Sequence, residues 1–172
     1  VVERVAGTAV LPFVVDWDTT PAISDVGHVV DGLWSTTDGM LRPLELGYDR
    51  VVALGHTSWT DMDVVVPFVV HGLGPDSGTP QSGAPLVGLG LRWRGHTNNG
   101  GEQPSTGFYP IGAYSWFRWQ NGGRFELYGS GGSPFDRLSA TIAFDTPYVM
   151  HARATTVGAS TTYQYSVWPQ GE

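Results

Sequence analysis

The chain has 172 residues, a net charge of −7 and 41% hydrophobic residues, which is enough for one folded core. The negative average field disfavours a nucleic acid as a partner, because phosphates are repelled by it. All nine basic residues are arginine and cysteine is absent, which excludes lysine Schiff-base chemistry, thiol nucleophiles, thiolate metal sites and disulfides.

Glycine and proline interrupt the sequence so often that helices have little room. The 24 glycines and 12 prolines leave 135–146 as the longest stretch free of both, and it has only 12 residues. That stretch alternates at a period of two, with Leu138, Ala140, Ile142 and Phe144 on one side, which predicts a strand. The chain is therefore expected to be all-β.

Alternation of β-branched and aromatic residues with polar ones predicts short strands along the whole chain. In chain order we expect them at about 5–16, 33–35, 40–43, 51–54, 63–72, 87–94, 111–119, 125–128, 135–146, 147–156 and 163–168. The segment 64–70 is apolar at every position, so it should lie centrally in a sheet, with a bulge at Pro67. Roughly a dozen strands without helices predict a β-sandwich of two packed sheets.

The chain is expected to form one domain over residues 1–172, because neither of its long polar segments, 72–83 and 95–107, has a core on each side. Val1 and the closing Gly171-Glu172 are typical of domain cuts, so the domain is expected to belong to a larger protein. No apolar run approaches the roughly 20 residues of a membrane-spanning helix, so membrane insertion is not expected.

Short motifs spread from residue 31 onward resemble the concanavalin A-like lectin/glucanase superfamily, and its laminin G-like bacterial modules look closest. The motifs are Asp31-Gly32-Leu33-Trp34, Asp38-Gly39-Met40-Leu41, Gly55-His56-Thr57-Ser58-Trp59-Thr60-Asp61, Leu91-Arg92-Trp93, Tyr148-Val149-Met150-His151-Ala152-Arg153 and Val167-Trp168-Pro169. The resemblance implies a jelly-roll β-sandwich of two curved antiparallel sheets. It also implies sugar binding on the concave face or its rim loops, and in many members a structural calcium ion.

The catalytic branch of that superfamily carries two glutamates on one strand, four positions apart with an aspartate between them. No two of the five glutamates here lie within six residues of each other, so no catalytic residue is assigned. A hydrolase assembled from separate strands is the alternative, with Glu126 or Asp63 as candidates. Asp61 and Asp63 could form a carboxylate pair on one strand face, or could simply accept backbone N–H groups at a turn.

A structural calcium ion is the only cofactor that the sequence offers. Asp16, Asp18, Asp25 and Asp31 could begin an oxygen-rich site, although their spacing matches no EF-hand loop and acidic loops are usually just solvated. The five histidines show no spacing typical of zinc sites.

Aromatic residues are the most informative class for function, with seven each of Trp, Tyr and Phe. A flat ring beside Arg, Glu or His can stack on a sugar and hydrogen-bond its hydroxyls at once. Tyr114, Trp116 and Arg118 share one side of their strand by alternation. Such rings are also common in sandwich cores, and the charged groups could equally form structural ion pairs.

The sequence therefore predicts a non-catalytic carbohydrate-binding module of a secreted or cell-surface bacterial protein. Its expected partners are a glycan and other domains of the same polypeptide. A glycan-cleaving enzyme and an interaction module that packs on another domain or subunit are the alternatives. The predicted ligand-binding residues are Arg92, Trp93, Arg94, His96, Tyr114, Trp116, Arg118, Trp119, Glu126, Tyr128, His151 and Arg153.

Overall fold

The computed structural model describes residues 10–20, 22–46, 50–74, 85–93, 113–120, 122–129 and 134–172. Within these ranges the regular structure is eleven strands and a single 3-10 turn at Ile23–Asp25. The strands are β1 (Gly27–Asp31), β2 (Trp34–Thr37), β3 (Met40–Pro43), β4 (Val51–Leu54), β5 (Met62–Phe68), β6 (Leu86–Leu91), β7 (Ala113–Arg118), β8 (Arg124–Gly129), β9 (Pro134–Ser139), β10 (Tyr148–Val157) and β11 (Ser160–Pro169). The described part of the chain contains no helix that could span a membrane.

The strands pair antiparallel throughout. The largest sheet has the order β6-β7-β8-β9, in which consecutive strands are neighbours, and a second sheet has the order β11-β10-β5. Two short ribbons, β1-β4 and β2-β3, complete the described sheets. The expectation of an all-β protein with antiparallel sheets is confirmed.

The two larger sheets pack against each other through alternate residues of their strands. Leu91 of β6 packs with Ala152 and Ala154 of β10 in one buried cluster. Phe117 of β7, which is only 1% exposed, packs with Tyr148 of β10 in a second cluster. Because side chains alternate along a strand, the residues between these core positions point to the opposite side of each sheet.

The inner faces of the two larger sheets are also joined by a hydrogen bond. A small apolar cavity lies between them. The Tyr165 hydroxyl of β11 donates to the carbonyl oxygen of Ala113 in β7 at 2.9 Å. Burial of this hydroxyl raises the pKa of Tyr165, so it stays protonated and can donate. The cavity, of about 40 Å³, is lined by Val66, Phe68, Val87, Gly88, Leu89 and Met150.

Strand β5 differs from its prediction. It is an edge strand among those described, not a central one, and Val65 is 62% exposed. Its residues alternate between core and solvent, although every residue from Val64 to Phe68 is apolar. The predicted bulge is wrong, because β5 pairs with β10 without a register shift through Pro67. A sheet edge tolerates proline, whose missing N–H costs no ladder bond on an unpaired side.

Two further predicted strands differ from the structure, and one observed strand was not predicted. Residues 10–16 of the predicted strand 5–16 are not in a strand, and 1–9 lie outside the described residues. Strand β9 ends at Ser139, because the chain then turns to bury Ile142 in the core, where the Ala143 N–H donates to the Tyr148 hydroxyl. Strand β1 was not predicted, since Gly27-His28-Val29-Val30-Asp31 carries no alternating pattern.

Candidate functional site

Strands β7 and β8 gather aromatic and charged side chains on the sheet face that points away from the core. In β7, Tyr114, Trp116 and Arg118 are half-buried and alternate with the fully buried Ala113, Ser115 and Phe117. Antiparallel register places Tyr128, Glu126 and Arg124 of β8 directly opposite them. Strand β9 adds Arg137, opposite Glu126. We call these seven outward residues the Trp116 cluster: Tyr114, Trp116, Arg118, Arg124, Glu126, Tyr128 and Arg137.

Three rings of the Trp116 cluster are in mutual contact. Tyr114 and Tyr128 stack nearly parallel, with ring centroids 4.8 Å apart and an angle of 9° between the planes. The Trp116 ring lies 4.5 Å from Tyr114 and 4.7 Å from Tyr128. Aromatic pairs at these separations stabilise each other beyond the burial of their area. The rings therefore form a preassembled aromatic group.

Glu126 is the anionic centre of the cluster, and its side chain is fully buried. Its carboxylate accepts hydrogen bonds from Trp116 Nε1 at 2.9 Å, the Tyr128 hydroxyl at 2.9 Å and Arg124 Nε at 2.7 Å. Arg118 and Arg137 lie further out, at 3.3 and 3.4 Å. A buried charge requires such partners, because desolvation without them costs several kcal/mol.

These partners also decide the protonation state of Glu126. Burial alone would raise the pKa of its carboxyl, but the hydrogen bonds from Trp116, Arg124 and Tyr128 and the charge of Arg118 outweigh burial and lower the pKa. Burial and the hydrogen bond to Glu126 raise the pKa of the Tyr128 hydroxyl. Glu126 is therefore ionised and Tyr128 protonated at neutral pH.

The cluster carries an excess of positive charge. Three arginines surround one glutamate, in a chain whose overall charge is −7. Arg118 also lies over the Trp116 ring, 5.4 Å from its centroid, in cation–π geometry. Its Nε is buried and has no hydrogen-bond partner among the described residues, because the contact with Glu126 is an ion pair only.

Strand β6 leaves the surface beside the rings without side chains. Gly90 and Gly88 lie opposite Tyr114 and Trp116, and both glycines are exposed. A Cβ atom on Gly88 would lie 2.2 Å from the carbonyl oxygen of Ser115, so only glycine fits this approach of the two backbones. Glycine within a strand commonly marks such a close approach of a neighbouring backbone.

Arg92 lies apart from the Trp116 cluster. Arg92 has a positive φ of 60°, and its guanidinium donates to Thr60 O at 2.6 Å, to Thr161 Oγ1 at 2.9 Å and to Asp61 at 3.2 Å. It therefore joins the segment before β5 to the β10–β11 hairpin. Trp93 is half-buried, whereas Arg94 and His96 lie outside the described residues.

Trp119 was expected in the binding region and is found with the core. Its ring packs edge-on against Phe117 at 4.7 Å and stacks with Phe144 at 6.2 Å. Strand alternation explains this placement, because Trp119 is an odd-numbered residue like the buried Ser115 and Phe117.

His151 and Arg153 lie on the outward face of the other large sheet. They alternate with the buried Met150, Ala152 and Ala154 of β10, and both pair with Asp63 of β5. The hydrogen bonds from Arg153 and His151 lower the pKa of the Asp63 carboxyl. Five of the predicted ligand-binding residues thus meet in the Trp116 cluster, and His151 and Arg153 lie on the opposite face. The five are Tyr114, Trp116, Arg118, Glu126 and Tyr128.

Two of the four aspartates expected to begin a calcium site have other side-chain contacts. Asp16 accepts the Asp18 N–H at 3.0 Å in a local turn, and Asp31 pairs with Arg50 at 3.5 Å. Asp25 ends the 3-10 turn. Among the described residues, which include all four, no three His, Cys, Asp or Glu side chains form a group that could hold a metal ion. Calcium binding that begins at these aspartates stays a prediction.

Two arginines of the cluster were missed by sequence reasoning. Arg124 is two residues before Glu126, so the period of two already places it on the same face. Arg137 is on that face only because β9 pairs with β8 and places Arg137 opposite Glu126. Strand pairing of this kind is not visible in the residues of a single strand.

Comparison with known proteins gives no match of any kind. The sequence fits no protein-family model, and neither a curated protein nor a solved structure resembles the chain closely enough to count as a match.

Proposed function

We propose that this chain is a non-catalytic carbohydrate-binding module, a lectin-like jelly roll of the concanavalin A-like kind, and that the Trp116 cluster binds the glycan. The observation that carries the proposal is three contacting rings beside guanidinium groups and an exposed strip of glycine backbone. A sugar has apolar C–H faces edged by hydroxyls, so it can lie against such rings while the charged groups bind its oxygens.

The cluster is already organised for binding. The hydrogen bond from Trp116 to Glu126 and the ring contacts hold the indole in one orientation. Fixing these side chains in advance reduces the conformational entropy that binding would otherwise cost. Glycans offer little apolar area, so this preorganisation matters more for them than for an apolar ligand.

Glycoside cleavage receives less support from the described carboxylates. A general acid in such an enzyme needs a raised pKa, whereas the partners of Glu126 lower its pKa. Asp61 is paired with Arg92, and Asp63 with Arg153 and His151 on the other sheet. These contacts are those of structural ion pairs.

The test is binding to a glycan array and to affinity gels by the parent chain and by Trp116→Ala. We expect the parent to bind at least one glycan, and Trp116→Ala to weaken that binding about tenfold or more, because central aromatic residues dominate small interfaces. Trp168→Ala is the matched control, since Trp168 contacts His151 on the opposite face, and it should bind like the parent.

Circular dichroism of both variants shows whether the fold is retained. Failure of the folded parent chain to bind any glycan would overturn the proposal. So would equal loss of binding in the two tryptophan variants.

A further inference from the structure

We infer that the glycan bound by the Trp116 cluster is acidic, and that Arg118 and Arg137 bind its anionic substituent. This inference rests on the proposed function and specifies the ligand class of the same site. The shared ligand chemistry is an anionic oxygen group on a sugar, present in uronic acids as a carboxylate and in sulfated sugars as a sulfate ester.

The Trp116 cluster carries an excess of positive charge. Glu126 neutralises one of the three arginines around it, so two positive charges remain on this face. The rest of the chain is strongly acidic, with a net charge of −7, and repels anions on average. A local excess of cationic groups beside rings therefore selects a ligand that combines an apolar face with negative charge.

The three arginines of the cluster differ in how far their donors are already occupied. Arg124 is committed, since its Nε donates to Glu126 at 2.7 Å and its Nη2 to Gln120 Oε1 at 3.0 Å. Arg118 and Arg137 contact Glu126 only as ion pairs, at 3.3 and 3.4 Å. The Arg118 Nε is buried without a hydrogen-bond partner among the described residues.

The guanidinium groups of Arg118 and Arg137 also have the shape and the exposure that binding of an anionic group requires. A guanidinium presents planar pairs of N–H groups that match the two oxygens of a carboxylate or sulfate. The Arg118 side chain is 24% exposed and that of Arg137 is 58% exposed, so a ligand can reach both. Arg118 also lies over Trp116, which places its donors beside the ring that the sugar would contact.

The experiment is calorimetric titration with matched oligosaccharides: a uronic acid tetrasaccharide, its carboxyl-reduced neutral form and a sulfated form of the neutral chain. We expect at least one of the two acidic chains to bind about tenfold more tightly than the neutral chain. The acidic chain should lose affinity as the salt concentration rises. The two acidic arms show whether carboxylate or sulfate is preferred.

The variant is Arg137→Gln, because its half-exposed side chain can be changed with little effect on folding. It should bring the affinity for the acidic chain close to that for the neutral chain. Arg153→Gln on the opposite face is the matched control and should change neither. The inference is overturned if acidic and neutral chains bind equally while Trp116→Ala abolishes both, a result that leaves the proposed function standing. If none of the chains bind, and the array gives no glycan either, the proposed function itself fails.

Discussion

Replacing Glu126 with alanine is expected to lower the free energy of unfolding by about 3 kcal/mol, the cost of leaving the partners of a buried ion pair without their counter-charge. The substitution leaves Trp116 Nε1 and the Tyr128 hydroxyl without their acceptor. It also brings three arginines together around an uncharged site. Urea unfolding at neutral pH, followed by tryptophan fluorescence, measures the change.

The matched control is Asp63→Ala, which removes a carboxylate that also pairs with two cationic side chains but is 44% exposed. Exposed ion pairs contribute about 0–1 kcal/mol, so this variant should remain near the parent. Equal stability of the parent and Glu126→Ala would contradict the account of the cluster as a preassembled group.

The Glu126 carboxylate is expected to make the free energy of unfolding depend on pH in the acid range. The pKa of Glu126 is lowered in the folded chain from its ordinary value of 4.5, so its stabilising contribution is complete above the unfolded pKa. That contribution is lost as the pH falls through the lower, folded-state pKa. The stability of Glu126→Gln should therefore decline less than that of the parent below about pH 4.5, and parallel curves would contradict this assignment.

Replacing Arg92 with methionine is expected to lower the free energy of unfolding by about 2–3 kcal/mol, because hydrogen bonds from a charged donor in a largely buried position are lost. Its guanidinium is 17% exposed and bonds Thr60, Asp61 and Thr161, which belong to segments far apart in the sequence. Methionine retains the length of the side chain, so the change isolates the polar contacts. Urea unfolding measures the difference.

Arg153→Met is the control for this substitution. Arg153 is 49% exposed and pairs with Asp63 at the surface, so its loss should cost less than about 1 kcal/mol. Folded Arg92→Met should also bind glycan like the parent, because Arg92 lies apart from the Trp116 cluster. A selective loss of glycan binding with unchanged stability would instead place Arg92 in the binding region.

The alternation of apolar and polar residues along the sequence was enough to predict most of the strands. Strands β3 and β4 were predicted with their observed bounds, 40–43 and 51–54, because glycine or aspartate turns flank short apolar runs. Strand β5 shows the limit of this reasoning. Val64-Val65-Val66 indicates burial on both faces, but burial depends on which strands lie alongside, and β5 has a described neighbour on one side only.

The site was predictable to the same extent. The period of two placed Tyr114, Trp116 and Arg118 on one face, and Glu126 and Tyr128 on one face of another strand. That these two faces coincide depends on the register of β7 and β8, which pairs Trp116 with Glu126. His151 and Arg153 follow the same local pattern, yet their strand belongs to the other sheet. Sequence alternation gives the face of a strand but not the sheet to which it belongs.

The most direct test of glycan binding by the Trp116 cluster is the nuclear magnetic resonance spectrum of the tryptophan indole N–H groups, recorded while a glycan from the array is added. The chain has seven tryptophans, and Trp116→Phe and Trp168→Phe assign the two signals of interest. Because Trp116 Nε1 donates to Glu126 within the cluster, we predict a saturable shift of the Trp116 signal and an unchanged Trp168 signal. A glycan that binds while the Trp116 signal stays fixed and the Trp168 signal moves would contradict the account.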